Sequence, residues 1–271
     1  MNILLTNDDG VDSPGLLILA DALKARSRHR VFILAPDSDR SGVSHGLSIL
    51  RQPLKLAEKR KDVWHCAGLP ADCALISILG GFPCRPDLVI AGINAGCNIG
   101  NDIIYSGTCA AARQAVLLGV PGIALSLSER GGAFLWESAA AWAAEHLEDF
   151  LSLWREDVFI NVNIPNVPSP AGMANTWPAL KNYNDAVSAY DDPDGSKVFS
   201  LAMGRETAED EGGSDYDVIA KNLVSASPVC VYPVVRRDLC AGVPDYAAAG
   251  ERRIKKISPQ GFSLCPTIVS I

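Results

Sequence analysis

The chain predicts an α/β fold: a doubly wound, mostly parallel, Rossmann-like sheet with an accessory β-hairpin and oligomerisation region in its C-terminal part. Three observations lead there. Short apolar runs at residues 3–5, 31–35, 87–91, 122–126 and 158–163 alternate with stretches whose apolar residues recur at helical spacing. Polar, glycine-containing loops follow the first three runs, where the ligands of open α/β sheets gather. With 271 residues, 48% of them hydrophobic, the chain can bury a full core.

The first strand, residues 3–5, runs into Thr6, Asn7, Asp8, Asp9 and Gly10, and the glycine permits a sharp bend. Pro14 suits the first turn of a helix, in which Leu16, Leu17, Leu19, Ala20 and Leu23 make one apolar stripe. Residues 31–35 form the second strand, ended by Pro36 and Asp37, which completes a βαβ unit. Beyond a polar loop over 38–46, residues 47–56 and 62–66 read as a short accessory hairpin and 70–79 as a helix. The third core strand, 87–91, leads into a loop over 92–100 rich in glycine and asparagine. Ser106, Gly107 and Thr108 open an alanine-rich helix to about residue 118. A strand at 122–126, a helix over roughly 134–153 and a strand at 158–163, closed by Pro165, complete a core spanning residues 1–165. Residues 166–271 differ in texture, with proline and glycine punctuation, an acidic stretch over 206–217 and alternating runs such as 197–203. They predict a hairpin-rich extension used for oligomer contacts and not an independent domain, with Arg236-Arg237, Arg252-Arg253 and Lys255-Lys256 on a solvated face.

A formal charge of −7 and a pI near 5.1 exclude binding to nucleic acid through a general basic field, so an anionic substrate has to be held by local groups. The eight cysteines, at 66, 73, 84, 97, 109, 230, 240 and 265, contain no Cys-x-x-Cys pair and read as reduced thiols. The N-terminus enters a strand with no basic and apolar leader, and no stretch offers eighteen uninterrupted apolar residues. These features predict a cytoplasmic protein without a membrane partner.

Asp8 and Asp9 are the first candidate site. Neighbours in a regular strand face opposite ways, so adjacent carboxylates converge on one object only where the strand has stopped. Held that close, they repel unless a cation or a shared proton lies between them; for these four residues alone, a solvated Asn-Asp-Asp-Gly turn is the other reading. Asn94 and Asn98 can offer carbonyl oxygens to a hard cation or amide donors to phosphate, and the loop's glycines do not form G-x-G-x-x-G. Ser106-Gly107-Thr108 is either an ordinary N-cap or an anion cradle of free N–H groups and two hydroxyls. His45 is a candidate proton donor to a leaving group, with a structural or substrate-contacting role the preferred reading, and Cys97 and Cys109, beside oxygen-rich loops, read as packing. Gly42-Val43-Ser44-His45-Gly46 matches the G-x-S-x-G nucleophile elbow, but six residues separate Ala35 from Gly42 and residues 47–52 alternate like a strand. A serine esterase using Ser44, with His65 or His146 as the base, is therefore only an alternative. An aspartyl-phosphate mechanism is excluded, because Asn7 stands where the nucleophile of an Asp-x-Asp motif would be.

Four segments together resemble the survival protein SurE family of metal-dependent nucleotidases: Asn7-Asp8-Asp9-Gly10-Val11, Ala35-Pro36-Asp37 with Arg40-Ser41-Gly42, Gly92-Ile93-Asn94-Ala95-Gly96 with Asn98, and Tyr105-Ser106-Gly107-Thr108. Residues 159–165 and 68–73 look like two further family segments. The resemblance implies a phosphatase that releases inorganic phosphate from nucleoside monophosphates, working as a homodimer or dimer of dimers. It implies one divalent cation per subunit on Asp8, Asp9, Ser41 and Asn94; that all-oxygen set favours Mg²⁺ or Mn²⁺ over Zn²⁺. Asn98, Ser106, Gly107, Thr108 and His45 are the residues expected to meet phosphate or substrate. The other class of function is a nucleotide- or metal-binding protein that has lost the reaction. Four positions depart from the family pattern: Ala91 for serine, Cys97 for proline, Leu69 for threonine and Gln114 for glutamate.

Overall fold

Alternation along the first strand sets up the two layers. In β1 (Asn2–Thr6), Ile3 and Leu5 enter one apolar cluster and Leu4 another, because successive side chains of a strand face opposite sides. The structure, a computed structural model, describes residues 1–26, 29–129, 132–209 and 212–233. β2 (Arg30–Pro36) and β5 (Leu88–Ala95) flank β1 in parallel register, Leu4 lying opposite Phe32 on one side and Val89 on the other. With β3 (Leu56–Arg60), β4 (Val63–Cys66), β6 (Gly122–Leu127), β7 (Val158–Ile164), β8 (Met173–Asn175) and β13 (Val224–Cys230), they make one sheet of order β3-β4-β2-β1-β5-β6-β7-β13-β8. The run from β4 to β7 is parallel, and β3 and β13 are antiparallel to their inner neighbours.

One face is covered by α1 (Pro14–Arg26), α5 (Trp136–Glu145) and α6 (Leu147–Leu153), and the other by α2 (Pro70–Leu79) and α4 (Gly107–Leu117). The expected stripe of α1 buries Leu16, Leu19, Ala20 and Leu23, while Leu17 is half-buried. Phe32, Phe150 and Phe159 are fully buried; truncating any of them to alanine costs ~3–5 kcal/mol. Strand order reverses at β1, which leaves a crevice beyond the carboxyl ends of β1 and β5, the switch point at which such sheets bind ligands.

The architecture is the expected one, with local differences. Residues 47–56 do not form a strand. Ser48–Leu50 is a 3₁₀ turn whose Ser48 and Ile49 N–H groups donate to the Asp72 carboxylate at 3.0 and 3.2 Å, and the strand β3 starts only at Leu56. The helix over 134–153 is two, broken at His146. β5 runs past residue 91 to Ala95 with a register shift against β6 between Ala91 and Asn94, the kind of bulge that re-aims side chains next to a site. Gly92 permits it: φ is +130° and a Cβ would lie 2.2 Å from the Leu125 carbonyl oxygen.

Beyond residue 165, the sheet takes β8 and β13, so it draws strands from both sides of that boundary. β9 (Lys181–Asn182) pairs with β12 (Thr207–Ala208), β10 (Ala186–Asp191) forms an exposed hairpin with β11 (Lys197–Ala202), and the short helix α7 (Asp215–Ala220) precedes β13. The acidic stretch ends in the first turn of α7, where Asp215 is buried and accepts N–H bonds from Gly100, Ala179 and Tyr216, each at 2.9 Å. Among the described residues, no helix is long and apolar enough to cross a membrane. The three basic pairs lie outside the described residues.

Candidate active site

The loop after β1 is built around Asn7, which organises the turn. Its Nδ2 donates to the Gly10 carbonyl at 2.9 Å and to Ser13 Oγ at 2.6 Å, and its Oδ1 accepts from Gly10 N–H at 3.2 Å. This side-chain-closed turn, with Gly10 at φ +100°, spreads the two acids apart. Asp8 turns toward the start of α4, a short helix (α3, Asp102–Tyr105) having brought the chain there; Asp9 turns toward β5.

Asp8 is 4% exposed. Its Oδ1 accepts from Thr108 Oγ1 at 2.5 Å and its Oδ2 from Thr108 N–H at 3.1 Å, with the Gly107 N–H facing it as well. Burial still outweighs these donors and holds the carboxyl above its ordinary range. Gly107 has to be a glycine for this approach. A Cβ there would meet Asp8 Cβ at 2.9 Å, Asp8 Oδ2 at 3.0 Å and Pro70 Cγ at 3.1 Å.

Among the described residues, Asp9 has a single N–H donor, Ala95, at 3.3 Å. Burial first, then the charge of Asp8, push it up to about 6, and Asp39 adds to the shift. Among the described residues, no lysine or arginine pairs with either acid.

The loop over 37–46 is tied to the acids through its backbone, Arg40 N–H donating to the Asp8 carbonyl at 2.7 Å. Ser41 donates both its N–H and its hydroxyl to Asp39 Oδ1 at 2.7 Å, so its Oγ lone pairs are left for another partner. Asn94 Nδ2 donates to the Gly96 carbonyl at 2.8 Å, leaving Oδ1 as the acceptor end. Asp8 and Asp9 on the first loop, Ser41 on the second and Asn94 at the end of β5 thus lie on three segments tied together at the crevice of the sheet by the bonds of Arg40 to Asp8 and of Ala95 to Asp9. Two uncompensated carboxylates, a hydroxyl with free lone pairs and an amide oxygen fit a hard dication.

The other predicted residues are arranged differently from a simple anion cradle. Ser106 is the N-cap of α4, its Oγ accepting from Cys109 N–H at 3.1 Å, which leaves its own hydroxyl proton to donate. Thr108 spends both donors on Asp8, so the first turn of α4 is already loaded with a carboxylate. Asn98 is buried: its Nδ2 donates to Ser126 Oγ and its N–H to Asn163 Oδ1, both at 2.8 Å, and its carbonyl accepts from Asn161 and Asn163. That network is visible in the sequence only as two asparagines on an otherwise apolar strand.

His45 Nε2 lies 2.8 Å from Gln114 Oε1; burial, with Arg113 adding to it, holds the ring below its ordinary pKa, against the bond to Gln114. A neutral ring that donates from Nε2 keeps Nδ1 as an acceptor. Ser44 donates to the Ile104 carbonyl at 2.7 Å, within a turn and with no strand leading into it. Of the candidate bases, His146 bonds Asp149 at 2.7 Å on the helical face and His65 belongs to β4, so the structure removes the esterase alternative. Cys109 is buried packing, its thiol pushed up to about 12 by burial, and Cys97 is half-buried.

Three residues escape sequence reasoning: Asp39, which orients Ser41; Gly107 as a clearance for Asp8; and Trp136, at the start of α5, which lines a cavity beside Asp9. An Asp-x-Ser spacing was the available sign of the first.

The family model for survival protein SurE matches residues 3–185. A 5′-nucleotidase SurE of Geobacter sp. (strain M21) is 39% identical over 236 residues, covering 84% of this chain and 92% of the relative. One from Acinetobacter baumannii (strain ATCC 17978) is 37% identical over 241 residues, covering 84% and 93%. The crystal structure of the SurE protein from Aquifex aeolicus superposes with a TM-score of 0.76 at 33% identity, covering 92% of this chain and all of that one. With the crevice, its paired acids and these matches together, the chain belongs to the survival protein SurE family.

Proposed function

We propose that the protein is a metal-dependent phosphomonoesterase, a 5′-nucleotidase, which hydrolyses nucleoside monophosphates to nucleoside and inorganic phosphate. The observation that carries this reading is the pair of carboxylates at the switch point, both pushed upward by burial and Asp9 also by the charge of Asp8, with no cationic side chain against them among the described residues. The relatives named 5′-nucleotidase supply the reaction class.

Asp8, Asp9, Ser41 and Asn94 are the residues that would hold one Mg²⁺ or Mn²⁺, which would supply Lewis-acid polarisation of a phosphoryl oxygen and a nucleophilic water at neutral pH. The chain's residues do the rest. Thr108 fixes both oxygens of Asp8, and Asp39 fixes the Ser41 hydroxyl, so the donor set is oriented before substrate arrives. Ser106 has a hydroxyl proton left to donate to a phosphate oxygen, offsetting charge that grows in the transition state. Asn98 is held by Ser126, Asn161 and Asn163, which gives the loop above the phosphate a rigid floor. His45, neutral near pH 7, meets substrate as an acceptor at Nδ1.

The enzyme acts as a homodimer. On one face of the β10–β11 hairpin, Val187 pairs with Leu201 and Ala189 with Phe199, and Phe199 and Leu201 are 65% and 62% exposed. A lone two-stranded hairpin is marginal in water, and a second copy of the chain is the cover this apolar face fits.

Phosphate release from AMP with Mn²⁺, then with EDTA, tests the reading. Turnover that EDTA abolishes, and that Asp8→Asn abolishes without unfolding the protein, is the expected result. AMP binding with no phosphate released under any metal would instead make the protein a nucleotide-binding module.

A further inference from the structure

The chemistry at Asp8 and Asp9 accounts for a phosphate and leaves the rest of the nucleotide unplaced. Two cavities border the site. One, bounded by Asp102, Glu129, Lys181 and Glu206 among others, has a volume of about 50 Å³ and charged walls, too small and too polar for a nucleobase. The other has a volume of about 390 Å³, within the usual size of a small-molecule site, and is lined by Asp9, Asp12, Pro14, Gly15, Ala95 and Trp136 among others. It shares Asp9 and Ala95 with the crevice, so a molecule whose phosphate sits at the acids has its remainder beside this opening.

The indole is set as a wall. Phe134 stacks on it with ring centroids 4.7 Å apart and planes inclined by 26°, while the cavity is bounded by Trp136 and not by Phe134. Its edge rests on the α-carbon of Gly15: a Cβ there would lie 2.8 Å from Trp136 Cζ3 and 2.2 Å from the Ile93 carbonyl oxygen. A half-buried tryptophan, backed by one ring and wedged against a glycine, has its position fixed before any ligand arrives. Every nucleobase offers a π-face to such a platform, and a purine overlaps more of an indole than a pyrimidine does.

We propose that this cavity seats the base of the nucleoside monophosphate, that Trp136 is its stacking platform, and that purine nucleotides are preferred. The inference rests on the proposed nucleotidase reading and names the substrate class for that same site. Trp136 acts on specificity through the base and touches none of the reacting atoms.

Steady-state phosphate release from AMP and from ribose 5-phosphate, which carries the phosphate without a base, gives a ratio of kcat/KM values. Trp136→Leu, which keeps apolar bulk and removes the π-face, lowers that ratio about tenfold through KM for AMP, and Trp136→Phe largely restores it. A Trp136→Leu ratio within about twofold of the wild type overturns the proposal. If the wild type frees phosphate from neither compound, the nucleotidase reading is what has failed, and calorimetric titration with adenosine decides the cavity alone. Binding that Trp136→Leu weakens about tenfold upholds the base seat, and no binding, or equal binding by both proteins, overturns it.

Discussion

Gly107→Ala tests most directly how the helix start and Asp8, the proposed metal-binding acid, depend on one another. The added methyl would lie 2.9 Å from Asp8 Cβ, 3.0 Å from Asp8 Oδ2 and 3.1 Å from Pro70 Cγ. Carbon atoms rest at about 3.5 Å or more, so Asp8 has to retreat by roughly 0.5 Å. A catalytic constellation tolerates displacements of about that size and no more. The retreat pulls Asp8 off both Thr108 donors as well, since Oδ1 and Oδ2 are already committed at 2.5 and 3.1 Å. A displacement between 0.5 and 1 Å predicts a loss of roughly 10–100-fold in kcat/KM, equivalent to ~1.4–2.7 kcal/mol of transition-state stabilisation.

Two opposing effects act on the fold itself. Overpacking costs ~1–3 kcal/mol, while alanine is better than glycine in a helix by up to ~1 kcal/mol, and less than that at the first helical position. The net loss of stability is therefore small, about 1–2 kcal/mol, and the loss of activity is the larger signal. Urea unfolding, Mn²⁺ titration by calorimetry and AMP turnover separate the three effects. An alanine variant with wild-type turnover and wild-type Mn²⁺ affinity would refute the claim that this glycine exists to let Asp8 reach the helix.

Further predictions follow from the same geometry. Thr108→Val removes the hydroxyl donor to Asp8 Oδ1 while keeping its volume, and weakens Mn²⁺ binding about tenfold by calorimetry; Thr108→Ser keeps most of the affinity. Asp9 sits near 6 against an ordinary 3.8. A carboxyl raised on folding contributes stability that is complete below the lower value and lost as pH rises through the upper one. Melting of the metal-free protein in EDTA between pH 4 and 7 should thus show a loss of ~1–2 kcal/mol, after solvent screening, that Asp9→Asn largely removes. Gln114→Glu puts a carboxylate where Oε1 now lies 2.8 Å from His45 Nε2, and raises the His45 pKa in an NMR titration. Phe199→Asp places a charge on the apolar hairpin face and shifts the protein toward monomer in analytical ultracentrifugation.

The sheet is legible in the sequence because its core strands β1, β2, β5, β6 and β7 are short apolar runs bounded by turn residues. It fails where a distant side chain decides local structure. Residues 47–56 alternate like a strand, yet Asp72, 24 positions after Ser48, takes the N–H groups that a strand partner would have taken. At the site, adjacency alone marks Asp8 and Asp9 as candidates, and the fold then turns Asp8 toward α4 and Asp9 toward β5. The bond from Thr108 to Asp8 spans 100 residues, and the meeting of Asp9 with Ala95 spans 86, so both depend on a topology that no local pattern states. Trp136 is hidden for the same reason: a single tryptophan at a helix start has no signature until Gly15 and Phe134 are seen to hold it.

The two acids, alike in sequence, are treated differently by the fold. Asp8 receives two bonds from Thr108 at the head of a helix, which already presents partial positive charge. Asp9, with one N–H at 3.3 Å, receives far less, although it lies within the field of both Asp8 and Asp39. On the proposed metal site, a cation's neutralising charge would therefore be needed most at Asp9, and its position would be dictated most by Asp8, whose orientation is fixed. Loss of Asp8 should then remove the geometry of the site, while loss of Asp9 should remove part of its affinity. On that division, Asp8→Asn abolishes turnover at any metal concentration, whereas Asp9→Asn regains part of it when Mn²⁺ is raised. Equal and complete loss in both variants would show that charge, and not position, is what both acids supply.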